Sequence, residues 1–273
     1  MTEPIILGYG KNSVSLLYSD SSDTADLQNS NIKFTLKIYY PSIIINDRDL
    51  PQRQQNVLEV IKIKNNGFCH PNIICFDNGY LINPNENDYN QLLSIIYQYD
   101  KNINGHPILY GLLTEYIPGN TINELIIHQS YPNLIYKLLD NMLSALYFLH
   151  TNGIVHNNIN GDNVIFNDED NKFVLIDFSN AIYFFDTNIY SSEMLNFKQL
   201  LERDIYHLGL LAYKLGTGLS FPYRNKEIRK DEYLIYPMDR KIGYFIDLLI
   251  LEYNRPISEI YKIWNYKKIH IIS

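Results

Sequence analysis

Cysteine and tryptophan are scarce in this sequence of 273 residues, and its net charge is not positive. It contains two cysteines, Cys69 and Cys75, and a single tryptophan. Two cysteines are too few for a disulfide framework or a four-ligand zinc site, and we expect both to be buried free thiols. The 23 basic and 30 acidic residues leave a net charge of −7. Bulk attraction to phosphate is thereby excluded as a basis for binding nucleic acid or a membrane surface.

Long apolar runs are missing as well. No run approaches the roughly 18–20 residues that crossing a bilayer requires. The first residues, Met1-Thr2-Glu3-Pro4, lack the basic and then apolar layout of a secretion signal. We therefore expect a soluble, cytoplasmic protein, with a nuclear location left open, and neither nucleic acid nor membrane among its partners.

The first part of the chain alternates short apolar runs with polar turns. Such runs begin near residues 5, 14, 34, 73 and 109 and predict strands, while residues 50–64 predict one amphipathic helix. Residues 83–106 are rich in Asn and Tyr, and we interpret them as a surface connection with a short helix near 91–97. This part therefore predicts a small antiparallel sheet with a packed helix.

The second part of the chain is dominated by helical patterns. Apolar residues three and four positions apart between 134 and 150 predict a helix buried on one face. Two short strands are expected near 164–166 and 173–176, and further helices near 202–216, 241–252 and 257–264. We expect an α+β protein with two unequal lobes, 1–117 and 118–273.

Two features of the first part could serve a phosphate ligand. Gly8 and Gly10 follow a predicted strand, and glycines at this spacing let backbone amides approach phosphate oxygens closely. Lys37 lies inside an apolar run, where an unpaired ammonium group would be costly to bury. Glu59, on the following predicted helix, is its expected partner.

A more specific pattern lies between residues 154 and 179. His156 and Asn163 stand between a predicted buried helix and a strand, and Asp177 follows the next strand. An amide oxygen and a carboxylate at the ends of neighbouring strands suit Mg²⁺ that carries nucleotide phosphates.

With these residues in this order, the chain resembles the eukaryotic-type protein kinase superfamily across nearly its whole length. The resemblance implies a bilobal kinase-like fold, with an N-lobe of residues 1–117 and a C-lobe of residues 118–273. It also implies binding of ATP and Mg²⁺. The implied cofactor-binding residues are Gly8, Gly10, Lys37, Glu59, Glu115 and Ile117, and the implied metal ligands are Asn163 and Asp177.

Later landmarks favour the protein-kinase branch of this superfamily. Ser191-Ser192-Glu193 resembles the end of an activation segment, and Asp204 to Gly209 resembles the buried anchoring helix. Arg255 resembles the arginine that pairs with the segment's glutamate, here Glu193. Small-molecule kinases of related fold generally lack these three features as a set.

The resemblance breaks at the catalytic loop. Asn158 stands where the family has the aspartate that accepts or orients the substrate proton, and Asn160 stands where serine/threonine kinases have a lysine. An amide is not a base near neutral pH, so the step loses a contribution of roughly 10²–10⁴-fold. Asp162, a candidate replacement base, is expected to face away from the substrate hydroxyl.

These observations predict a protein-kinase-like domain that binds ATP and Mg²⁺ but is catalytically impaired, a pseudokinase acting through an unidentified protein partner. Lys37 and Asp177 would support any phosphoryl transfer that remains. One alternative is a low-activity serine/threonine protein kinase that transfers the γ-phosphate of ATP to hydroxyls of a protein substrate. Another is a small-molecule kinase of related fold. In a purely structural interpretation, Lys37 and Glu59 form only an ion pair and Asp177 only caps a strand.

Overall fold

A computed structural model of the chain describes residues 5–19, 33–83, 86, 88–127, 129–184, 191–221 and 239–271. The chain forms two compact units. The first consists of Met1–Cys69 and Ile74–Tyr116, and the second of His70–Ile73 and Ile117–Ser273. Strands and helices occur in both, so the expected α+β class is confirmed.

The first unit contains an antiparallel five-stranded sheet in the order β1-β2-β3-β5-β4. Alternation of side chains explains its two faces: Leu36 and Ile38 are buried on β3, whereas Lys37 between them points to the other face. The strands are β1 (Ile5–Tyr9), β2 (Ser13–Ser19), β3 (Lys33–Tyr39), β4 (Phe76–Ile82) and β5 (Leu109–Glu115).

Three helices complete the first unit: α1 (Pro41–Asn46), α2 (Leu50–Lys64) and α3 (Tyr89–Tyr99). The helix predicted over residues 50–64 is confirmed as α2, which begins and ends at the predicted residues. The interpretation of 83–106 as a surface connection is wrong, because α3 is part of the hydrophobic core. Its buried residues, which pack with Val14, Leu16, Leu36 and Ile38 of the sheet, are Tyr89, Leu92, Leu93, Ile95 and Ile96.

The second unit is mainly helical and holds two small sheets, β6-β8-β9 and β7-β10. Its strands are β6 (Asn120–Thr121), β7 (Ile154–Val155), β8 (Val164–Asn167), β9 (Lys172–Leu175) and β10 (Ile182–Tyr183). Its helices are α4 (Ile122–Leu125), α5 (Ile135–Thr151), α6 (Ser191–Thr217), α7 (Arg240–Leu251) and α8 (Ile257–Ile271).

Helix α6 is longer than its apolar pattern predicts, because it begins at Ser191 and continues past Asp204 to Thr217. It packs closely on α7 through Gly209. A Cβ atom added there would lie 2.7 Å from Cγ1 of Ile250 and 2.9 Å from Cβ of Leu249, so only glycine permits this approach. Trp264 of α8 is 1% exposed and closes the core against α5.

The cysteines differ from the expectation. The structure joins Cys69 and Cys75 in a disulfide, Cys69 is exposed, and no free thiol occurs among the described residues. The prediction of buried free thiols is therefore wrong. The two Cα atoms lie 5.2 Å apart because the chain reverses between them, and such a reversal cannot be deduced from the residue spacing.

Within the described parts of the chain, none of the helices is both long enough and apolar enough to span a bilayer.

Asp247 is a half-buried carboxylate on α7, between the buried residues Ile246 and Leu248. Burial raises its pKa from 3.8 to about 6. The unfolded chain ionises this group at a lower pH than the folded chain. The carboxyl group of Asp247 therefore contributes most to the stability of the folded state at low pH. That contribution to the free energy of unfolding is lost as the pH rises from about 4 to about 6.

We predict that Asp247→Asn removes this loss. After discounting for solvent contact, the variant should be more stable than wild type by about 1 kcal/mol at pH 7, with no advantage at pH 4. Urea unfolding at both pH values measures the difference. Asp168→Asn, in the exposed turn after β8, is the matched control. An equal effect of Asp247→Asn at both pH values would contradict the prediction.

Candidate functional site

The glycine pair lies in the hairpin of β1 and β2. Gly8 pairs with Ser15, next to an irregularity in the register, and the Gly10 amide donates to the carbonyl of Ser13 at 2.9 Å. A Cβ atom added at either glycine would meet nothing within 4 Å, and neither residue has a positive φ. The packing of the first unit therefore does not require glycine at these positions.

Lys37 lies in the middle of the sheet, on a strand between two others. It pairs with Ser15 on β2 and with Leu112 on β5, and its Nζ lies 5.5 Å from the ring centroid of Tyr39. The strand thus fixes the backbone of the lysine firmly.

Glu59 has a hydrogen-bond partner on its own helix. Glu59 is exposed on α2, and its one hydrogen bond within the described residues comes from Nε2 of Gln55, at 2.8 Å. The face of α2 turned to the sheet is formed by Gln54, which accepts a hydrogen bond from the Tyr39 hydroxyl, and by buried apolar residues. The expected ion pair between Glu59 and Lys37 stays a prediction.

Two of the residues implied to bind the cofactor, Glu115 and Ile117, end β5 and follow it. The Glu115 amide donates to the carbonyl of Cys75 at 3.0 Å, and its carboxylate accepts from the Cys75 amide at 2.6 Å. Ile117 begins the long segment Ile117–Ser273 of the second unit, and its side chain is buried. Its backbone makes no hydrogen bond within the described residues.

The loop after β7 is held by the carboxylate of Asp204 on α6. This carboxylate is fully buried and accepts from the amides of His156 and Asn157 at 2.9 Å and 2.8 Å. Nε2 of His150 lies 3.2 Å from it. One buried carboxylate thus fixes the start of the loop through its backbone.

The imidazole of His156 connects the loop to the segment after β9. Its Nε2 donates to the carbonyl of Ile176 at 3.0 Å, and its ring meets that of Phe178 edge-on at 4.7 Å between centroids. The His156 side chain is completely buried. These contacts place the backbone on both sides of Asp177.

Asn163 and Asp177 are brought together by the backbone. The Ile176 amide donates to the carbonyl of Asn163 at 2.9 Å, which sets Asp177 beside it. Nδ2 of Asn163 donates to the carbonyl of Asn158 at 2.9 Å, so its Oδ1 faces the other way. That oxygen makes no hydrogen bond within the described residues.

Asp177 has a φ of 58°, in the left-handed region that few residues other than glycine adopt. Such a conformation persists where the surroundings impose it, and it is common at functional sites. Its Oδ1 accepts from the Ser179 amide at 3.2 Å.

Together Asn163 and Asp177 offer two hard oxygen donors, a set that fits Mg²⁺ completed by phosphate oxygens and water. Clusters of three or more His, Cys, Asp or Glu residues that could hold a metal by themselves are absent from the described ranges. Any cation here would therefore depend on oxygens of a ligand.

The carboxylate of Asp162 is bound by a side chain of α4. Its carboxylate accepts from Nδ2 of Asn123 at 2.7 Å, and the Oδ1 of Asn123 accepts from Nζ of Lys214 at 2.8 Å. Gly161 permits this contact, because a Cβ there would lie 2.3 Å from Asn123 Oδ1. Sequence reasoning missed Asn123 and Lys214, since no spacing relates α4 and α6 to the loop.

Two of the late landmarks are Glu193 and Arg255. Glu193 lies in the first turn of α6, and its side chain is outside the described residues. The Arg255 guanidinium forms ion pairs with Glu252 and Glu259, which are near it in sequence, and its expected pair with Glu193 stays a prediction. Arg203, another residue that the patterns missed, donates to the side-chain oxygen of Asn157.

Comparison with known proteins shows similarity to proteins named serine/threonine-protein kinases, and no family model matches the chain. The chain is 28% identical over 146 residues to serine/threonine-protein kinase C of Synechocystis, which covers 46% of this chain and 27% of that protein. It is 29% identical over 128 residues to serine/threonine-protein kinase PknA of Nostoc, covering 40% and 23%. A protein of Acanthamoeba polyphaga mimivirus that carries the name of a serine/threonine-protein kinase, R436, is 31% identical over 160 residues, covering 49% and 57%.

The matches thus span less than two thirds of each relative's own length. They support a protein-kinase-like relationship for this chain.

We predict that Asp204→Ala destabilises the protein by about 3–5 kcal/mol, because it leaves buried amides of the loop without an acceptor. Asp204→Asn should lie between this variant and wild type, since it retains one acceptor oxygen. Urea unfolding measures the free energies, and Glu169→Ala at an exposed position is the control. A loss below about 1 kcal/mol for Asp204→Ala would show that other contacts hold the loop.

Proposed function

We propose that this chain is a protein-kinase-like domain that binds ATP with Mg²⁺, transfers phosphate poorly, and acts through a protein partner. The observation that carries the proposal is a division between two pairs of residues in the second unit. Asn163 and Asp177 retain the hard oxygens of a metal site, while Asn158 and Asn160 carry amides where a base and a cation would serve the chemical step.

The metal part of the proposal is supported by the direction of the Asn163 side chain. Its Nδ2 donates to a backbone carbonyl of the loop. A backbone carbonyl can only accept, so the nitrogen is fixed on that side and Oδ1 is presented as a ligand atom. With Asp177 beside it, the pair would hold Mg²⁺, which would neutralise charge on the phosphates of ATP.

The nucleotide part is supported by residues of the first unit. Open space at Gly8 and Gly10 would let backbone amides contact phosphate oxygens, and Lys37 offers a cation on a strand held on both sides. We propose Glu115 and Ile117 as backbone contacts for the adenine. Glu59, which is exposed on α2, keeps its expected role toward Lys37 as part of the proposal.

Impaired transfer is the part that rests on Asn158. Loss of a general base removes roughly 10²–10⁴-fold in rate. Asp162 does not replace it, since its carboxylate is bound to Asn123.

A low-activity serine/threonine protein kinase remains the second candidate. It is favoured by the same pair of oxygen donors, Asn163 and Asp177, because positioning and electrostatic stabilisation supply much of the catalysis of phosphoryl transfer. In that case the substrate would be a hydroxyl of a protein.

Binding of ATP should raise the unfolding temperature in the presence of Mg²⁺. At about 100 times the dissociation constant, a ligand specific for the folded state adds about 2.7 kcal/mol of stability. Asp177→Ala and Lys37→Ala should each remove most of the shift, and Lys101→Ala, on an exposed turn, should keep it. If wild type shows no shift at millimolar ATP, nucleotide binding is wrong.

Restoring the carboxylate should restore phosphoryl transfer. We expect Asn158→Asp to raise transfer from radiolabelled ATP to a generic protein acceptor by about 10²-fold or more over wild type. The double variant Asn158→Asp with Asp177→Ala should remain at background, which excludes a contaminating kinase. Wild-type activity that already equals that of Asn158→Asp would favour the low-activity kinase.

A further inference from the structure

The direction of the Asn158 amide follows from hydrogen bonds that begin at the backbone. The Asp162 amide lies 2.8 Å from Oδ1 of Asn160. A backbone N–H can only donate, so the Asn160 atom facing it must be the oxygen. The other end of the Asn160 side chain is therefore its nitrogen, Nδ2.

The Asn160 nitrogen in turn fixes Asn158. Nδ2 of Asn160 donates to the backbone carbonyl of Asn158 at 3.1 Å and to its side-chain Oδ1 at 3.0 Å. An NH₂ group has no lone pair to accept with, so the atom of Asn158 that faces it must be the oxygen. The Asn158 Nδ2, with two N–H donors, is left pointing away from Asn160.

No residue in the described part of the chain accepts from this nitrogen, although Asn158 is half-buried. The Asn158 backbone is also held from a second side, because Nδ2 of Asn163 donates to the same carbonyl at 2.9 Å. The amide of Asn158 is thus a fixed donor one hydrogen bond away from the proposed metal ligand Asn163.

We propose that Asn158 Nδ2 is a specificity-determining donor for the terminal phosphate of ATP, and that Asn160 is the residue that positions it. The proposal rests on the proposed function, since it assumes that Asn163 holds the cation that accompanies the phosphates. A carboxylate at position 158 has no N–H to offer a terminal phosphate, whereas the amide nitrogen can donate to it. The substitution thereby converts a position suited to a base into one suited to sensing a triphosphate.

The test compares dissociation constants for ATP and ADP, both with Mg²⁺, by calorimetry. Hydrogen bonds to charged groups are strong enough that losing one costs about tenfold in affinity. Asn158→Ala should therefore weaken ATP about tenfold and leave ADP unchanged. Asn160→Ala should lower the preference for ATP several-fold, because Asn158 is then free to rotate.

The control is Asn133→Ala, at an exposed asparagine of the same unit without a hydrogen bond among the described side chains, and it should keep the wild-type ratio. Unfolding temperatures without nucleotide check that each variant is folded. A purely structural role for Asn160 would change both affinities equally and would overturn its part in the proposal.

The outcomes separate this proposal from the one on which it rests. If wild type binds neither nucleotide, both are wrong. If wild type binds ATP but Asn158→Ala keeps the ratio of ATP to ADP affinity, only the assignment of Asn158 is wrong.

Discussion

The buried carboxylate of Asp204 is the contact on which the loop of the second unit depends. It gathers two consecutive backbone amides, of His156 and Asn157, and the imidazole of His150 around a single anion without solvent contact. A buried charge is tolerated only when its hydrogen bonds are satisfied, so the anion and the loop stabilise each other. The start of the loop, and with it the approach to Asn163 and Asp177, follows from this contact.

Because that contact is made through the backbone, side chains of the loop can change without altering its path. Asn158 and Asn160 are uncharged, yet each takes part in hydrogen bonds that begin or end on backbone groups. These hydrogen bonds hold the loop with uncharged amides. The path of the loop therefore does not depend on a charged side chain at either position.

Predictions from periodicity succeeded where the apolar spacing within a single segment determines its secondary structure. The pattern of α2 identified the helix from Leu50 to Lys64, since its burial against the sheet follows from its own apolar spacing. The same reasoning placed 83–106 on the surface, although the apolar face of α3 lies in the core. Composition rich in Asn and Tyr obscured that face. Helical spacing reveals which residues share a face but not which sheet residues that face meets.

The sequence by itself determined the α+β class, the helices and strands with strong patterns, and the loop residues whose order resembles a kinase, because each depends on neighbours along the chain. Tertiary structure alone decided that Asn123 and Lys214 engage Asp162, that Cys69 meets Cys75, and which end of the Asn158 amide points outward. These depend on hydrogen bonds and contacts made when the folded backbone brings separate segments together. Such contacts are directional and extend over a few ångströms, so they leave no periodic trace in the sequence.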